Sequence, residues 1–335
     1  MPFDDTQPEV SFAVNAVKQA CILAASVQKD LVGASMDKAD RSPVTVADFA
    51  VQAIIGCLLE KTFPTAPLVG EEDATALRQD ENSAILQKVA SFAGKHMAYA
   101  TPQTVCEWID HGNGEPGPKF WTLDPIDGTK GFLRGDQYAI ALALIVDGQV
   151  QIGVLGCPNM TRGYLPELGG AGSLVVAVRG QGAWTTPVTG DAGYQQLRVS
   201  DLTDIKQARL LRSFESGHTN TGQIGEFVNE LEINGAPVCM DSQAKYAVLG
   251  SGHGDMLLRL LSARQPDYRE RIWDQAAGAI VVEEAGGRIT DLNGRALDFG
   301  AGKTLAQNEG VCASNGVLHD AALEKLAEIR KRSGA

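Results

Sequence analysis

The chain has 335 residues, 44% hydrophobic and 21% charged, and its 29 Lys and Arg against 41 Asp and Glu give a net charge of −12. That length holds one large domain or about two of ordinary size, and the composition is globular rather than disordered. The acidic balance excludes electrostatic binding to a nucleic-acid polymer or an anionic membrane surface. Taken for the whole surface it also speaks against an anionic small ligand, although net charge describes a surface and not a single site.

Six cysteines, Cys21, Cys57, Cys106, Cys157, Cys239 and Cys312, are spread so that the closest two are 36 residues apart. No zinc or redox motif has that spacing, and a chain this long needs no disulfide staples. Scattered thiols read as small buried hydrophobes in a reducing compartment. The start, Met1-Pro2-Phe3-Asp4-Asp5, lacks the basic region of a secretory signal. The longest strongly apolar run, residues 138–146, is nine long, against about 20 for a membrane span. A cytoplasmic location is expected.

Residues 9–32, rich in Ala, Val and Leu with polar residues between, predict a helix. A second helix is expected from Thr45, where Thr45-Val46-Ala47-Asp48 has the capping-box form and puts Asp48 in the first turn. It runs through Ile54, Ile55, Leu58 and Leu59 to a stop at Pro64. Pro67-Leu68-Val69 reads as a short strand ending in the acids of Gly70-Glu71-Glu72-Asp73. Residues 74–98 predict a helix and 110–119 a Gly/Pro-rich loop. The runs 138–146 and 149–155 flank Asp147-Gly148, the pair a type I′ hairpin turn requires. A second hairpin surrounds Arg179-Gly180-Gln181-Gly182. Later strands are expected at 209–214, 237–240, 256–261, 288–291 and 311–313, with helices near 221–231, 273–285 and 316–331. Hairpins first and alternating elements later predict two lobes, 1–200 and 201–335.

Two glycine clusters resemble nucleotide loops and are turns. Gly300-Ala301-Gly302-Lys303-Thr304 has Leu297 where a phosphate loop needs glycine, and Gly250-Ser251-Gly252-His253-Gly254 lacks GxGxxG spacing.

The informative stretch is Trp121-Thr122-Leu123-Asp124-Pro125-Ile126-Asp127-Gly128-Thr129-Lys130-Gly131-Phe132. A short strand delivers two carboxylates to a turn that Pro125 and Gly128 shape. Asp124, Asp127 and the Ile126 carbonyl are oxygen donors suited to a hard cation, and the Thr129 hydroxyl is placed to orient a water. Read alone, the spacing fits an Asx turn with solvated acids equally well. Asp48, Glu71 and Asp274, the last in Trp273-Asp274-Gln275-Ala276-Ala277-Gly278, are further candidates. An acid at a helix start is also an ordinary cap, and no spacing rule makes these acids converge.

Taken in order, Gly70-Glu71-Glu72-Asp73, Asp124 to Phe132, and Trp273 to Gly278 with Glu283-Glu284-Ala285-Gly286-Gly287 resemble the lithium-sensitive, magnesium-dependent phosphatase superfamily. That superfamily includes inositol monophosphatase, inositol polyphosphate 1-phosphatase, fructose 1,6-bisphosphatase and the 3′(2′),5′-bisphosphate nucleotidases. The resemblance spans residues 10–320, and the tail Lys130-Gly131-Phe132-Leu133-Arg134-Gly135-Asp136-Gln137 is similar to the eukaryotic-type nucleotidase group. It implies a two-lobed, layered αβαβα sandwich, α/β and α+β in class. It implies that Glu71, Asp124, the Ile126 carbonyl, Asp127 and Asp274 hold two or three Mg²⁺, and that Asp48 and Thr129 orient and deprotonate the attacking water. It further implies that Thr129, His218, Ser242, Lys245, Arg259 and Asp274 contact a nucleotide bisphosphate and its retained phosphate.

One departure is the spacing of Arg259, 15 residues before Asp274, with a slightly lengthened loop at 262–266. The implied reaction is hydrolysis of adenosine 3′,5′-bisphosphate to AMP and phosphate, or of 3′-phosphoadenylyl sulfate to adenylyl sulfate, with inhibition by Li⁺. The alternative within the superfamily is inositol 1,4-bisphosphate. Phospho-aspartate chemistry needs Asp-x-Asp, and this chain has Asp-x-x-Asp. A non-catalytic sensor would lack a catalytic residue, and none is missing. The expected partner is a small nucleotide bisphosphate, with no nucleic-acid polymer, no membrane and no second subunit.

Overall fold

In the computed structural model, which describes residues 2–32, 42–190, 192–214, 220–261 and 267–333, the first apolar stretch is a helix, as its spacing predicts. Helix α1 (Pro8–Val27) opens on Pro8, whose missing N–H is no loss at a first helical position. It buries Val10, Ala13, Val14, Val17, Cys21 and Ala24 at three- and four-residue intervals. A π-turn (Gln28–Val32) ends it. By length and hydropathy Pro8–Asp30 is apolar enough to cross a membrane, which a search for unbroken apolar runs overlooks. Most of that stretch is buried, against the next helix and the first sheet.

That next helix, α2 (Ser42–Thr62), begins three residues before Thr45, so no capping box starts it there and Asp48 lies in the second turn. Pro43, tolerated in a first turn but not in a helix interior, accounts for the earlier start. Residues 74–98 are not one helix. Two 3₁₀ turns (Ala76–Arg78 and Asp80–Asn82) precede α3 (Ser83–Gly94), because Asp, Asn and Ser compete for backbone hydrogen bonds. Helix α4 (Pro102–Asp110), absent from the sequence expectations, is started by a reciprocal Thr101–Thr104 capping box.

Strands β1 (Leu68–Gly70), β2 (Lys119–Asp127), β3 (Ala139–Val146) and β4 (Gln149–Cys157) lie side by side in one sheet. A small ribbon of β5 (Met160–Thr161) and β6 (Leu165–Pro166) follows, and β7 (Ser173–Val178), β8 (Gly182–Thr186) and β9 (Gln195–Gln196) complete the seven strands. Both expected hairpins form. Asp147 and Gly148 have φ of 49° and 76°, as a type I′ turn demands. The second sheet runs β11 (Val238–Cys239), β10 (Leu210–Arg212), β12 (Met256–Arg259), β14 (Val311–Ser314), β13 (Arg288–Thr290). The remaining helices are α5 (Thr129–Arg134), α6 (Thr221–Glu230), α7 (Ala244–Gly250), α8 (Ala276–Glu284) and α9 (His319–Ser333). Of these, α5 and α7 are too short to leave a helical period in the sequence. Helix α8 starts at Ala276 with Gln275 as N-cap, so Asp274 stands just outside it rather than in its first turn.

Alternation along the strands sorts the apolar residues into three cores and stacks five layers. Ile140, Leu142 and Leu144 of β3 face α1 and α2, whereas Ala139, Ala141, Ala143 and Ile145 face α7 and α8. Leu257, Val311 and Ala313 of the second sheet close the same middle layer, while Met256, Leu258 and Cys312 face α6 and α9. The order is α1/α2, sheet, α7/α8, sheet, α6/α9, the expected αβαβα sandwich. The middle layer therefore brings residues from beyond position 240 against the sheet built by the first half.

Within that layer α7 and α8 pack so closely that a Cβ at Gly278 would lie 2.0 Å from the Tyr246 ring. In an exposed helix Gly→Ala gains up to about 1 kcal/mol, whereas overpacking a core costs about 1–3 kcal/mol. The Gly278→Ala variant is expected to melt several degrees below wild type in calorimetry; an unchanged or higher melting temperature contradicts this packing.

Candidate metal and phosphate site

Strands β1 and β2 run parallel, with Gly70 opposite Leu123. The Glu71 N–H donates to the Leu123 carbonyl at 3.2 Å, so Glu71 and Asp124 leave the same edge of the sheet side by side, within hydrogen-bonding reach of each other. Between Asp124 and Asp127 the pairing with β3 slips. This bulge buries Pro125 and Ile126 and turns the chain towards the middle layer. Gly128 then adopts φ 89° and caps α5. A Cβ there would stand 2.9 Å from that of Ser242, so both the turn and the approach of Ser242 require glycine.

The acids suspected from the sequence share one field. Asp124 is buried, and its Oδ1 has no hydrogen-bond partner. Burial raises its carboxyl well above the ordinary range, and Glu71, Asp127, Asp274 and Asp48 all push it further. Asp48, buried on α2, is raised by burial and then by Glu72 and Glu71. Asp274 is pushed up to about 8, chiefly by burial, with Asp127, Glu270 and Glu71 adding to it and Arg259 opposing. Asp127 is raised by burial, while Lys245, the Gln243 N–H and Arg259 restrain it. Glu71 stays exposed to solvent although protein crowds it enough for burial to raise it. Glu72, which the sequence marked only as a neighbour, is raised to about 7 by burial and Glu71. The buried Gln52 holds it from α2, accepting the Glu72 N–H at 3.1 Å.

Among the described residues no three His, Cys, Asp or Glu side chains are already closed around one point as a metal shell. The donor set is nevertheless all oxygen, one donor atom is buried without a partner, and the carboxylates repel one another, which together suit a hard divalent cation.

Two cations face the acids. Lys245 is buried on α7, and its Nζ donates to the Ser242 carbonyl at 2.8 Å, Ser213 Oγ at 3.2 Å and the Met240 carbonyl at 3.3 Å. Burial lowers it to about 8 against the pull of Asp127. Arg259, at the end of β12, pairs through Nη2 with the buried Glu270 at 2.7 Å. Burial opposes its charge, but Glu270 and Asp274 more than offset that. Its departure in spacing therefore does not remove it from the cluster. Ser242 takes a left-handed φ of 70° and accepts the Ala244 N–H through Oγ at 3.1 Å. Thr129 is exposed at the first position of α5, and no hydrogen bond among the described residues joins it to Asp48. His218 and the 262–266 loop lie outside the described residues.

A layered αβαβα protein with acids and cations gathered where its sheet and middle helices meet defines a class, and comparison with known proteins places the chain in it. The profile of the inositol monophosphatase family matches residues 5–331. The chain belongs to that family. It is 38% identical to a 3′(2′),5′-bisphosphate nucleotidase of Oryza sativa, over 96% of this chain and 94% of that protein. It is 37% identical to 3′(2′),5′-bisphosphate nucleotidase 1 of Candida albicans, over 98% and 97%. It is likewise 37% identical to the Schizosaccharomyces pombe 3′(2′),5′-bisphosphate nucleotidase, over 99% and 98%. Among solved structures, Mycobacterium tuberculosis SuhB superposes with a TM-score of 0.64 at 19% identity, covering 98% of both chains. The Thermotoga maritima IMPase gives 0.63 at 20%, covering 97% and 98%. These two superpositions establish the fold.

Raised carboxyl values mean that the folded chain favours protonated acids. That contribution to stability is complete below the ordinary values, 3.8 for Asp274 and 4.5 for Glu72, and is lost as pH rises through about 8 and about 7. In the presence of chelator the melting temperature is expected to fall as pH rises from about 5 to about 8, and millimolar Mg²⁺ is expected to cancel the fall. A profile that is flat in chelator, or indifferent to Mg²⁺, contradicts the cluster.

Proposed function

We propose that the chain is a Mg²⁺-dependent 3′(2′),5′-bisphosphate nucleotidase, acting as a cytoplasmic monomer. It hydrolyses adenosine 3′,5′-bisphosphate to AMP and phosphate, and 3′-phosphoadenylyl sulfate to adenylyl sulfate. What carries this reading is a pairing of charges: Lys245 and Arg259 both act on Asp127, which also belongs to the acid cluster. One place thus offers carboxylates for cations and fixed cations for a second phosphate. The nucleotidase names of relatives similar over nearly the whole chain support the substrate. Six free thiols, five of them buried, support a reducing compartment.

In this mechanism Glu71, Asp124, the Ile126 carbonyl, Asp127 and Asp274 hold two or three Mg²⁺. When bound, the ions supply a lowered water pKa, shielding of the phosphoryl charge and stabilisation of the leaving alkoxide. Asp48 accepts the proton of the attacking water, since it is the buried acid on the α2 side of the cluster. The Thr129 hydroxyl, at the open edge, orients that water from α5. Lys245, Arg259, Ser242 and His218 hold the phosphate that is not cleaved. Arg259 keeps its geometry through Glu270, and its planar fork suits a phosphate better than a lone ammonium does.

Purified protein with Mg²⁺ is expected to release phosphate from adenosine 3′,5′-bisphosphate faster than from inositol 1,4-bisphosphate, and to leave 5′-AMP untouched. A large preference for the inositol substrate would reassign the activity within the family. Asp127→Asn and Asp274→Asn are each expected to lower kcat by on the order of 10²–10³. Without metal and above about pH 8, the melting temperature of Asp274→Asn should not fall, because it removes a repelled charge. Full activity in both variants would refute the metal assignment.

Lys245 supplies a pH test. Its free-enzyme value of about 8 means that its charge is present below that pH and lost above it. The kcat/KM for the bisphosphate should therefore decline above about pH 8. In Lys245→Arg this limb should move to higher pH; the same limb in both proteins would assign it to another group.

A further inference from the structure

Two buried glutamines lie where α7 and α8 begin, and neither belongs to the donor set. Gln243 is the N-cap of α7 and Gln275 the N-cap of α8. Each is tied to the other's helix. The Gln243 Nε2 donates to the Trp273 carbonyl at 2.9 Å, and its Oε1 accepts the Gly278 N–H at 3.1 Å. In return the Tyr246 hydroxyl of α7 donates to Gln275 Oε1, and Gln275 Nε2 donates to Glu270 Oε2 at 2.8 Å. All four polar atoms of the two amides are thus engaged. The backbone N–H of Gln243 meanwhile donates to Asp127 Oδ2 at 2.6 Å.

One residue therefore touches both halves of the acid cluster. Asp127 arrives on β2 from the first half of the chain, and Asp274 stands in the turn between Trp273 and Gln275. These two carboxylates repel, and no covalent path shorter than 147 residues joins them. Gln243 grips Asp127 with its backbone and the turn carrying Asp274 with its side chain. The left-handed φ of Ser242 aims that backbone N–H.

We propose that Gln243 is a positioning residue for the divalent-cation site, setting the separation of Asp127 and Asp274 before any cation arrives. The proposal rests on the assignment of those two acids as ligands. Groups behind metal ligands typically change metal affinity by about 10–100-fold when removed. Gln243→Met keeps the backbone donor and the side-chain length and deletes both amide contacts. Gln243→Asn keeps the amide and falls one methylene short of Trp273 and Gly278.

The test is Mn²⁺ binding to the full chain without substrate, followed by electron paramagnetic resonance of the free ion. Gln243→Met is expected to bind Mn²⁺ at least about 10-fold more weakly than wild type, with Gln243→Asn between them. In turnover assays the Mg²⁺ activation constant should rise while kcat at saturating Mg²⁺ largely recovers. Leu326→Ala, in the outer core against the second sheet, controls for lost stability: it should lower the melting temperature and leave Mn²⁺ affinity unchanged. Wild-type affinity in either folded Gln243 variant overturns the proposal alone, as does an equal loss in Leu326→Ala. Absence of Mn²⁺ binding by wild type overturns the metal assignment and the proposal with it.

Discussion

Mutual repulsion among carboxylates at one edge of the first sheet governs this protein. Asp124 feels Glu71, Asp127, Asp274 and Asp48 at once, in a place where its own Oδ1 finds no donor. Two unit charges about 4 Å apart repel by roughly 4 kcal/mol at an effective dielectric near 20. A few such pairs rival the whole stability of a domain, about 5–15 kcal/mol. The acids cannot all be ionised together unless positive charge joins them. Protonation supplies it at low pH, Arg259 supplies part of it throughout and Lys245 supplies part of it below about pH 8, and the remainder is the demand a divalent cation meets.

The layered fold is what forces the acids together despite that repulsion. Parallel pairing of β1 with β2 brings Glu71 beside Asp124, and the bulge after Asp124 turns Asp127 towards the middle helices. Helix α2 delivers Asp48 from one side of the sheet. From the other side, α7 brings Lys245 and the turn before α8 brings Asp274, the two helices being locked to each other by two glutamines and by the fit of Tyr246 over Gly278. Hydrophobic burial on both faces of the sheet offsets the electrostatic penalty. The net charge of −12 takes on a different meaning in this light. Some of the excess acid is concentrated at one place where bound cations would invert the local field, so an acidic protein and an anionic substrate are compatible.

Local signals were legible wherever local physics decides. The two hairpins follow from Asp147-Gly148 and Arg179-Gly180-Gln181-Gly182, because a positive φ is a property of a few residues. Helix α1 and the later strands follow from apolar period. The misses have equally local causes. Thr45 offered a capping box, but Pro43 had already begun the helix one turn earlier. The stretch 74–98 was apolar enough for a helix, yet its Asp, Asn and Ser residues broke the start into 3₁₀ turns. Helices α5 and α7 hold six and seven residues, too few for a period, and Asp274 precedes its helix because Gln275 takes the cap.

The sequence by itself determined the oxygen-donor turn from Asp124 to Thr129, the hairpins that frame it, and the resemblance that named Asp48, Glu71, Asp274, Lys245 and Arg259 as companions. Only the tertiary structure decided that these residues share one field, that Arg259 is held by Glu270, and that Gln243 ties Asp127 to the turn of Asp274. A turn is encoded by neighbours a few residues apart. The cluster depends on packing a layer from one half of the chain against a sheet from the other, and that contact leaves no period or spacing in the sequence to be read.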